Sequence, residues 1–171
     1  LDPPAAHLLE KEFEKRGIVI RTKSNTHSIQ GTSKVTGLKL EDGTELPCDI
    51  AVMAVGIRPS TALAKASHIT VNRGVVVDDQ MRTNDPDIFA LGECAEHRGQ
   101  VYGLVAPLYD MARTIAEVLT GKASAYGGSI MSTKLKVTGV DLYSGGDFAE
   151  AMDREEIVLR DASRGVYKRL V

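Results

Sequence analysis

The chain has 171 residues, is 43% hydrophobic and 26% charged, and carries a formal net charge of -2 from 21 basic and 23 acidic residues. This is ordinary composition for a globular protein with one full core or two smaller ones, and without a basic stripe it speaks against nucleic-acid or anionic-membrane partners. No apolar run approaches the ~20 residues of a membrane span and no signal-peptide pattern opens the chain, so a cytoplasmic protein is expected.

The first element is a helix in "LDPPAAHLLEKEFEKRG", with Asp2 as N-cap, Pro3 at the first helical position and Gly17 as the stop. Ala5, Leu8, Leu9 and Phe13 share one face and charged residues the other, which predicts a surface helix packed on a sheet. A β-branched run, Ile18 to Ile20, reads as a strand. "KVTGLKLEDGTELP" reads as antiparallel strands joined at an Asp-Gly turn. The continuous apolar run Ile50 to Val55, ending on Gly56, predicts a central strand covered on both faces.

Short strands are next expected at Gly74 to Asp78 and Asp87 to Gly92, separated by the turn-forming "TNDPD". A second helix is predicted from Pro107: Leu108, Met111, Ala112, Ile115, Ala116 and Leu119 follow helical spacing, and Gly121 closes it. "SAYGGS" reads as a linker. Beyond it "KLKV", "DLY", "EEIVLRD" and "VYKRLV" read as strands of an antiparallel unit that is incomplete on its own. The fold class is therefore α/β mixed with antiparallel segments.

"IFALGECAEHRGQVYGLVAPLYDMA" places a strand end at Gly92, an acid at Glu93 and a helix start at Pro107 within a short span. Ligands of open α/β sheets lie beyond the carboxyl ends of strands, and helix N-termini present unpaired N–H groups. A glycine before the acid allows close approach, and a carboxylate there accepts hydrogen bonds from sugar-like hydroxyls. The other reading of Glu93 is a turn cap or an ion pair with Arg98; spacing leaves both open. His97 and Arg98 read as a loop pair that could touch a phosphate or a partner domain, or stay solvated. Cys48 and Cys94 form no CxxC pair, which argues against a metal or dithiol centre and for small buried side chains. His7, His27 and His68 have no ligand spacing and read as surface residues. Tyr102 and Tyr109 are read as packing residues.

"TNDPDIFALGE" resembles the second flavin fingerprint of the two-dinucleotide-binding-domain flavoprotein reductases, and "AVMAVGIRP" resembles their strand-Gly-x-x-Pro crossover. The longer string "GECAEHRGQVYGLVAPLYDMA", with "LDPPAAHLLE" upstream, is similar to the flavin-reductase portion of the assimilatory NAD(P)H nitrite reductase large subunit. The resemblance implies a partial two-dinucleotide-binding-domain flavoprotein fold followed by the start of a C-terminal α+β domain. It divides the chain into the C-terminal part of a pyridine-nucleotide domain (1–56), the second segment of an FAD domain (57–123) and the start of a C-terminal domain (124–171). It also implies that Glu93 binds the ribityl chain, with Gly92 allowing the approach. Val105, Ala106 and Pro107 then begin a helix whose N-terminus is aimed at the flavin pyrimidine ring; Pro107 has no N–H to give, so the donors are neighbours such as Ala106 and Leu108. Gly56 and Arg58 fall near the crossover between domains. Glu93 stands where the wider family usually has Asp, and a longer side chain needs a wider gap. A protein disulfide plays no part in this branch, which leaves Cys94 out of the mechanism.

Neither G-x-G-x-x-G turn of the family is in the chain, and neither are cysteines that would hold siroheme and an iron-sulfur cluster. The resemblance therefore implies a piece of an FAD-dependent NAD(P)H oxidoreductase that feeds a siroheme and iron-sulfur centre reducing nitrite to ammonia. The cofactors implied for the whole protein are FAD, NAD(P)H, siroheme and an iron-sulfur cluster. The implied partners are other domains of the same polypeptide and a small subunit, with no nucleic acid and no membrane. Alone, the chain is expected to be inactive, to hold FAD weakly or not at all, and to form homo-oligomers through unpaired edges. The alternatives are a ferredoxin or rubredoxin reductase, or a non-catalytic binding module that keeps the half-fold. The residue that would separate NADH from NADPH is not in the chain.

Overall fold

The computed structural model describes residues 1–135, 140–149, 154–161 and 163–171. The chain divides into two compact units, one made of Leu1–Ala54 with Thr133–Val171 and the other of Val55–Ser132.

The first unit opens with α1 (Pro3–Glu14), where Asp2 caps the helix by accepting the Ala5 N–H at 3.1 Å. Gly17 follows the helix at a φ of 75°, the left-handed conformation that ends helices at low steric cost. Ala5, Leu8, Leu9 and Phe13 are only half-buried, so the sheet-packed face expected of this helix is not fully covered. Strands β1 (Thr26–Gln30), β2 (Gly37–Leu40) and β3 (Glu45–Pro47) form an antiparallel sheet in the order β1-β2-β3. The β2–β3 turn sits at Asp42-Gly43 as the Asp-Gly signal predicts, with Gly43 at a φ of 86° and the Leu40 N–H donating to the Thr44 carbonyl at 2.9 Å.

Two expected strands of this region do not form. Ile18–Ile20 and Ile50–Val55 carry no strand and pair with no neighbouring strand. Val52 and Val55 are 84% and 86% exposed, far from the double-sided burial predicted for a central strand. Strand propensity is only a local preference, and a strand exists only where a neighbour accepts and donates its hydrogen bonds. Among the described residues, Leu40 is the one fully buried apolar side chain of this unit.

The later part of the unit has β7 (Ser132–Leu135) paired with β8 (Leu142–Gly145), and the hairpin β9 (Ile157–Asp161) with β10 (Val166–Leu170). All four lie at or beside the expected strands; residues 136 and 137 of "KLKV" are outside the described residues. Asp2, the α1 cap, also accepts a hydrogen bond from the Tyr167 hydroxyl and pairs with Arg169, whose Nε in turn lies 2.7 Å from Glu156. One carboxylate thus joins the start of α1 to β10.

The second unit carries the larger core. Strand β4 (Val75–Val77) pairs in parallel with β5 (Ala95–His97), and β5 turns back antiparallel to β6 (Gln100–Val101). Helix α3 (Val105–Leu119) follows, and a short helix α2 (Ala62–Ala66), not expected from the pattern, precedes β4. Val77, Met81, Ala95, Tyr102, Met111 and Tyr126 form the core, with Ala90, Leu108 and Ile115 against it. α3 buries Pro107, Met111 and Thr114, so its inner face is rotated from the predicted one: Ala116 and Leu119 are exposed.

Two expectations are corrected here. Residues Asp87–Gly92 do not form a strand: Phe89 makes a single antiparallel bridge with Arg82, flanked by bonds from the Thr83 N–H to Ile88 and from the Ala90 N–H to Met81. These close a local loop onto 81–83, and the ladder strand begins only at Ala95. "SAYGGS" is not a free linker, because Tyr126 is 3% exposed and belongs to the core.

Candidate functional site

The site is built on the second unit, from the turn before β5 to the first turn of α3. Gly92 has a φ of 93°, and the Ala95 N–H donates to its carbonyl at 3.1 Å, which makes the turn that leads into β5. A glycine meets this conformation without the strain a side chain would bring. Glu93 in that turn is exposed and makes no hydrogen bond or ion pair among the described residues. The expected pairing with Arg98 is not made, because Arg98 is bound to Asp79 instead. The turn leads into the amino end of β5, not out of a strand's carboxyl end as predicted, for the reason given above.

α3 presents the second part. Its N-cap, Leu104, is extended (φ -123°, ψ 148°) and places no side-chain oxygen on the first-turn amides. In α1 and α2 the first closing bonds run from Ala6 to Asp2 and from Lys65 to Thr61, at 2.9 and 3.0 Å. The equivalent bond from Leu108 to Leu104 is not formed among the described residues. The Val105, Ala106 and Leu108 N–H groups are therefore the donors at this end, where the helix dipole favours negative charge. Pro107 is buried and contributes φ restriction and packing.

The crossover residues stand beside this helix entry. A Cβ built on Gly103 would lie 3.1 Å from the Cδ1 of Ile57, so the backbone leading into α3 runs against Ile57. Its neighbours Gly56, with a φ of 90°, and Arg58, an exposed cation, are brought to the same region. The sequence elements "VGIRP" and "GLVAP" thus meet, and Glu93 is one of several exposed acids of the same unit.

The same unit holds a polar cluster that spacing did not reveal. The His97 side chain is 1% exposed, and its Nε2 lies 2.8 Å from Asp79 Oδ1. Arg98, at a φ of 49°, clasps the same carboxylate with Nε at 2.9 Å and Nη2 at 2.7 Å. The Arg98 guanidinium and then the His97 ring hold the Asp79 carboxyl down to about 2. His97 is therefore a buried strand residue and not a solvated loop residue. Glu96, also buried, accepts the Gly74 N–H at 2.8 Å and the Asn72 amide at 2.9 Å. These bonds, the backbone one first, keep it ionised against burial and lower its pKa. Cys94 is half-buried with its thiol 3.4 Å from the Leu91 carbonyl, and Cys48 is half-buried. His7, His27, His68 and Tyr109 are exposed, whereas Tyr102 is in the core. Among the described residues no group of three or more His, Cys, Asp or Glu could hold a metal ion, and no helix is long and apolar enough to cross a membrane.

Comparison with known proteins assigns a context to this geometry. Residues 1–116 match a family model described as pyridine nucleotide-disulphide oxidoreductase, and residues 132–171 match one described as rubredoxin NAD+ reductase C-terminal domain. A nitrite reductase [NAD(P)H] of Bacillus subtilis is 48% identical over the whole chain, which covers 21% of that protein. An assimilatory nitrate reductase electron transfer subunit of the same organism is 42% identical over 99% of the chain and 22% of its own length. The ferredoxin reductase for the CYP199A2 system from Rhodopseudomonas palustris superposes with a TM-score of 0.82 at 27% identity, over 98% of this chain and 42% of that one. The chain spans about a fifth of the length of the two Bacillus relatives.

Proposed function

The chain belongs to the pyridine nucleotide-disulphide oxidoreductase family, and from that premise we propose that it is part of an FAD-dependent NAD(P)H oxidoreductase whose electrons serve nitrite reduction. The observation that carries this reading is the α3 entry, an uncapped helix N-terminus with the Gly56–Arg58 crossover packed against it through Ile57 and Gly103. Such an end suits the electron-rich pyrimidine edge of a flavin, since its donors need no reorganisation when negative charge builds there. When bound, FAD would supply the chemistry of accepting a hydride from NAD(P)H and releasing electrons one at a time.

The chain's own residues bind and orient. The Val105, Ala106 and Leu108 amides donate to the ring edge. Glu93 accepts hydrogen bonds from ribityl hydroxyls, and its present lack of a partner leaves the carboxylate available for them. Gly92 holds the turn. Arg58 adds positive charge near the helix entry. Domain boundaries at residues 56 and 123 belong to the same proposal, as do siroheme and an iron-sulfur cluster beyond this chain, a small-subunit partner and a cytoplasmic setting. The match of residues 132–171 to a rubredoxin reductase C-terminal domain favours a second reading, in which the electrons leave to a small iron-sulfur protein.

The test is FAD titration of a polypeptide of the relatives' length that contains this chain. Tight binding that weakens about tenfold or more in Glu93→Gln, as loss of a charged acceptor predicts, supports the assignment. Equal affinity in the two proteins would remove Glu93 from the site.

A further inference from the structure

We propose that Tyr126 is a positioning residue of the cofactor site, strapping α3 to the end of β5 and so holding the helix N-terminus in place relative to the Gly92–Glu93 turn. The inference rests on the flavin reading of this site.

Tyr126 lies in the Gly- and Ser-rich segment that follows α3, where a large buried aromatic has no reason in a simple connector. Its backbone N–H donates to the Asp79 carbonyl at 2.7 Å. The Asp79 carboxylate is bound by His97, the last residue of β5, and by Arg98. The rings of Tyr126 and His97 are 4.9 Å apart, and Tyr102 meets Tyr126 edge-on at 5.9 Å. At its other end the Tyr126 hydroxyl donates to Ser129 Oγ at 2.8 Å, and Ser129 donates to Asp110 Oδ2 at 3.2 Å. Asp110 is on the second turn of α3.

One side chain therefore touches β5 at His97 and reaches α3 through Ser129. β5 starts just after Glu93, and Val105 through Asp110 lie on one continuous helix. Burial pushes the Tyr126 hydroxyl up to about 12, so it remains a neutral donor at ordinary pH. Removing the hydroxyl alone keeps the packing and cuts the link to α3. Groups behind a binding site that fix the orientation of the contacting groups can change affinity without touching the ligand.

The test compares Tyr126→Phe, Glu93→Gln and the double variant by FAD titration in the longer polypeptide. Hydrogen exchange of α3 is followed alongside in the 171-residue chain. Tyr126→Phe is expected to weaken FAD about fivefold, the effect of one hydrogen bond. The two substitutions together should weaken binding by less than the product of the single losses, and the first two turns of α3 should exchange faster. Unchanged FAD affinity in Tyr126→Phe beside a weakened Glu93→Gln overturns the strap and leaves the flavin reading intact. Losses that multiply also overturn it, since an independent stability effect would do the same. Equal affinity in Glu93→Gln removes Glu93 from the site, and with it the turn that the strap holds, so it overturns the proposal; absence of FAD binding by the longer polypeptide overturns the flavin reading as well, even where exchange shows the link to α3 to be real. If Tyr126→Phe does not fold, Ser129→Ala breaks the same relay with Tyr126 in place, and the same outcomes apply.

Discussion

Asp79 meets His97 at 2.8 Å between Oδ1 and Nε2, while the other ring nitrogen, Nδ1, is buried with no hydrogen-bond partner among the described residues. The carboxylate is an acceptor, so this contact assigns a proton to Nε2. Asp79 is then the one group that satisfies a buried ring. Asp79→Ala should lower the thermal midpoint measurably, because both ring nitrogens would be left buried and unpaired. Asp79→Asn keeps a carbonyl acceptor and should lose less. Equal midpoints for wild type and Asp79→Ala would contradict this role.

The same contact predicts a dependence on pH. Arg98 and His97 hold the folded-state Asp79 at about 2, below its ordinary 3.8. Stability from a depressed carboxyl is fully present above the unfolded value and is lost as pH falls through the folded one. The loss should therefore run from about pH 4 down to about pH 2. Denaturant midpoints measured across this window should fall less steeply in Asp79→Asn than in wild type, and identical slopes would count against the pairing.

Met111 is fully buried at the centre of the second unit's core, and its helix neighbour Leu119 is 67% exposed. Met111→Ala should cost about 2–5 kcal/mol in urea unfolding, and Leu119→Ala about 0.5 kcal/mol or less. Comparable losses at the two positions would mean that α3 faces the core as the apolar periodicity predicts, not as observed.

Gly74 sits where β4 approaches β5, and an added Cβ would lie 2.7 Å from the Cys94 carbonyl oxygen. The obstacle is backbone, so the strands must separate and the bond from the Gly74 N–H to buried Glu96 must stretch. Gly74→Ala should destabilise by about 1–3 kcal/mol. A variant as stable as wild type in the same assay would show that the strand pair tolerates this shift.

Elements with their own local signals were legible in the sequence. Asp2 and Pro3 mark α1, Asp42-Gly43 marks the hairpin, and the helical spacing from Pro107 marks α3, because capping, turn geometry and periodicity act over a few residues. Ile18–Ile20, Ile50–Val55 and Ile88–Leu91 also carry strand propensity, yet pairing depends on a neighbour that propensity does not specify. The short helix Ala62–Ala66 has no side-chain cap to announce it. At the site, the α3 entry and the crossover were readable as motifs, but their contact through Ile57 and Gly103 was not. The Asp79–His97 bond joins residues 18 apart with no shared pattern. Tyr126 was hidden by its Gly- and Ser-rich surroundings, where a large aromatic was the available signal.

The central claim is that the α3 entry and Glu93 belong to the flavin site of an NAD(P)H oxidoreductase. Its most direct measurement is the visible absorbance of the purified longer polypeptide during anaerobic titration with NADH and with NADPH. The account predicts one bound flavin per chain whose oxidised band is bleached by one equivalent of a reduced nicotinamide, with flavin occupancy reduced in Glu93→Gln. A protein that purifies and reconstitutes without flavin, or whose flavin neither nucleotide reduces, would contradict it.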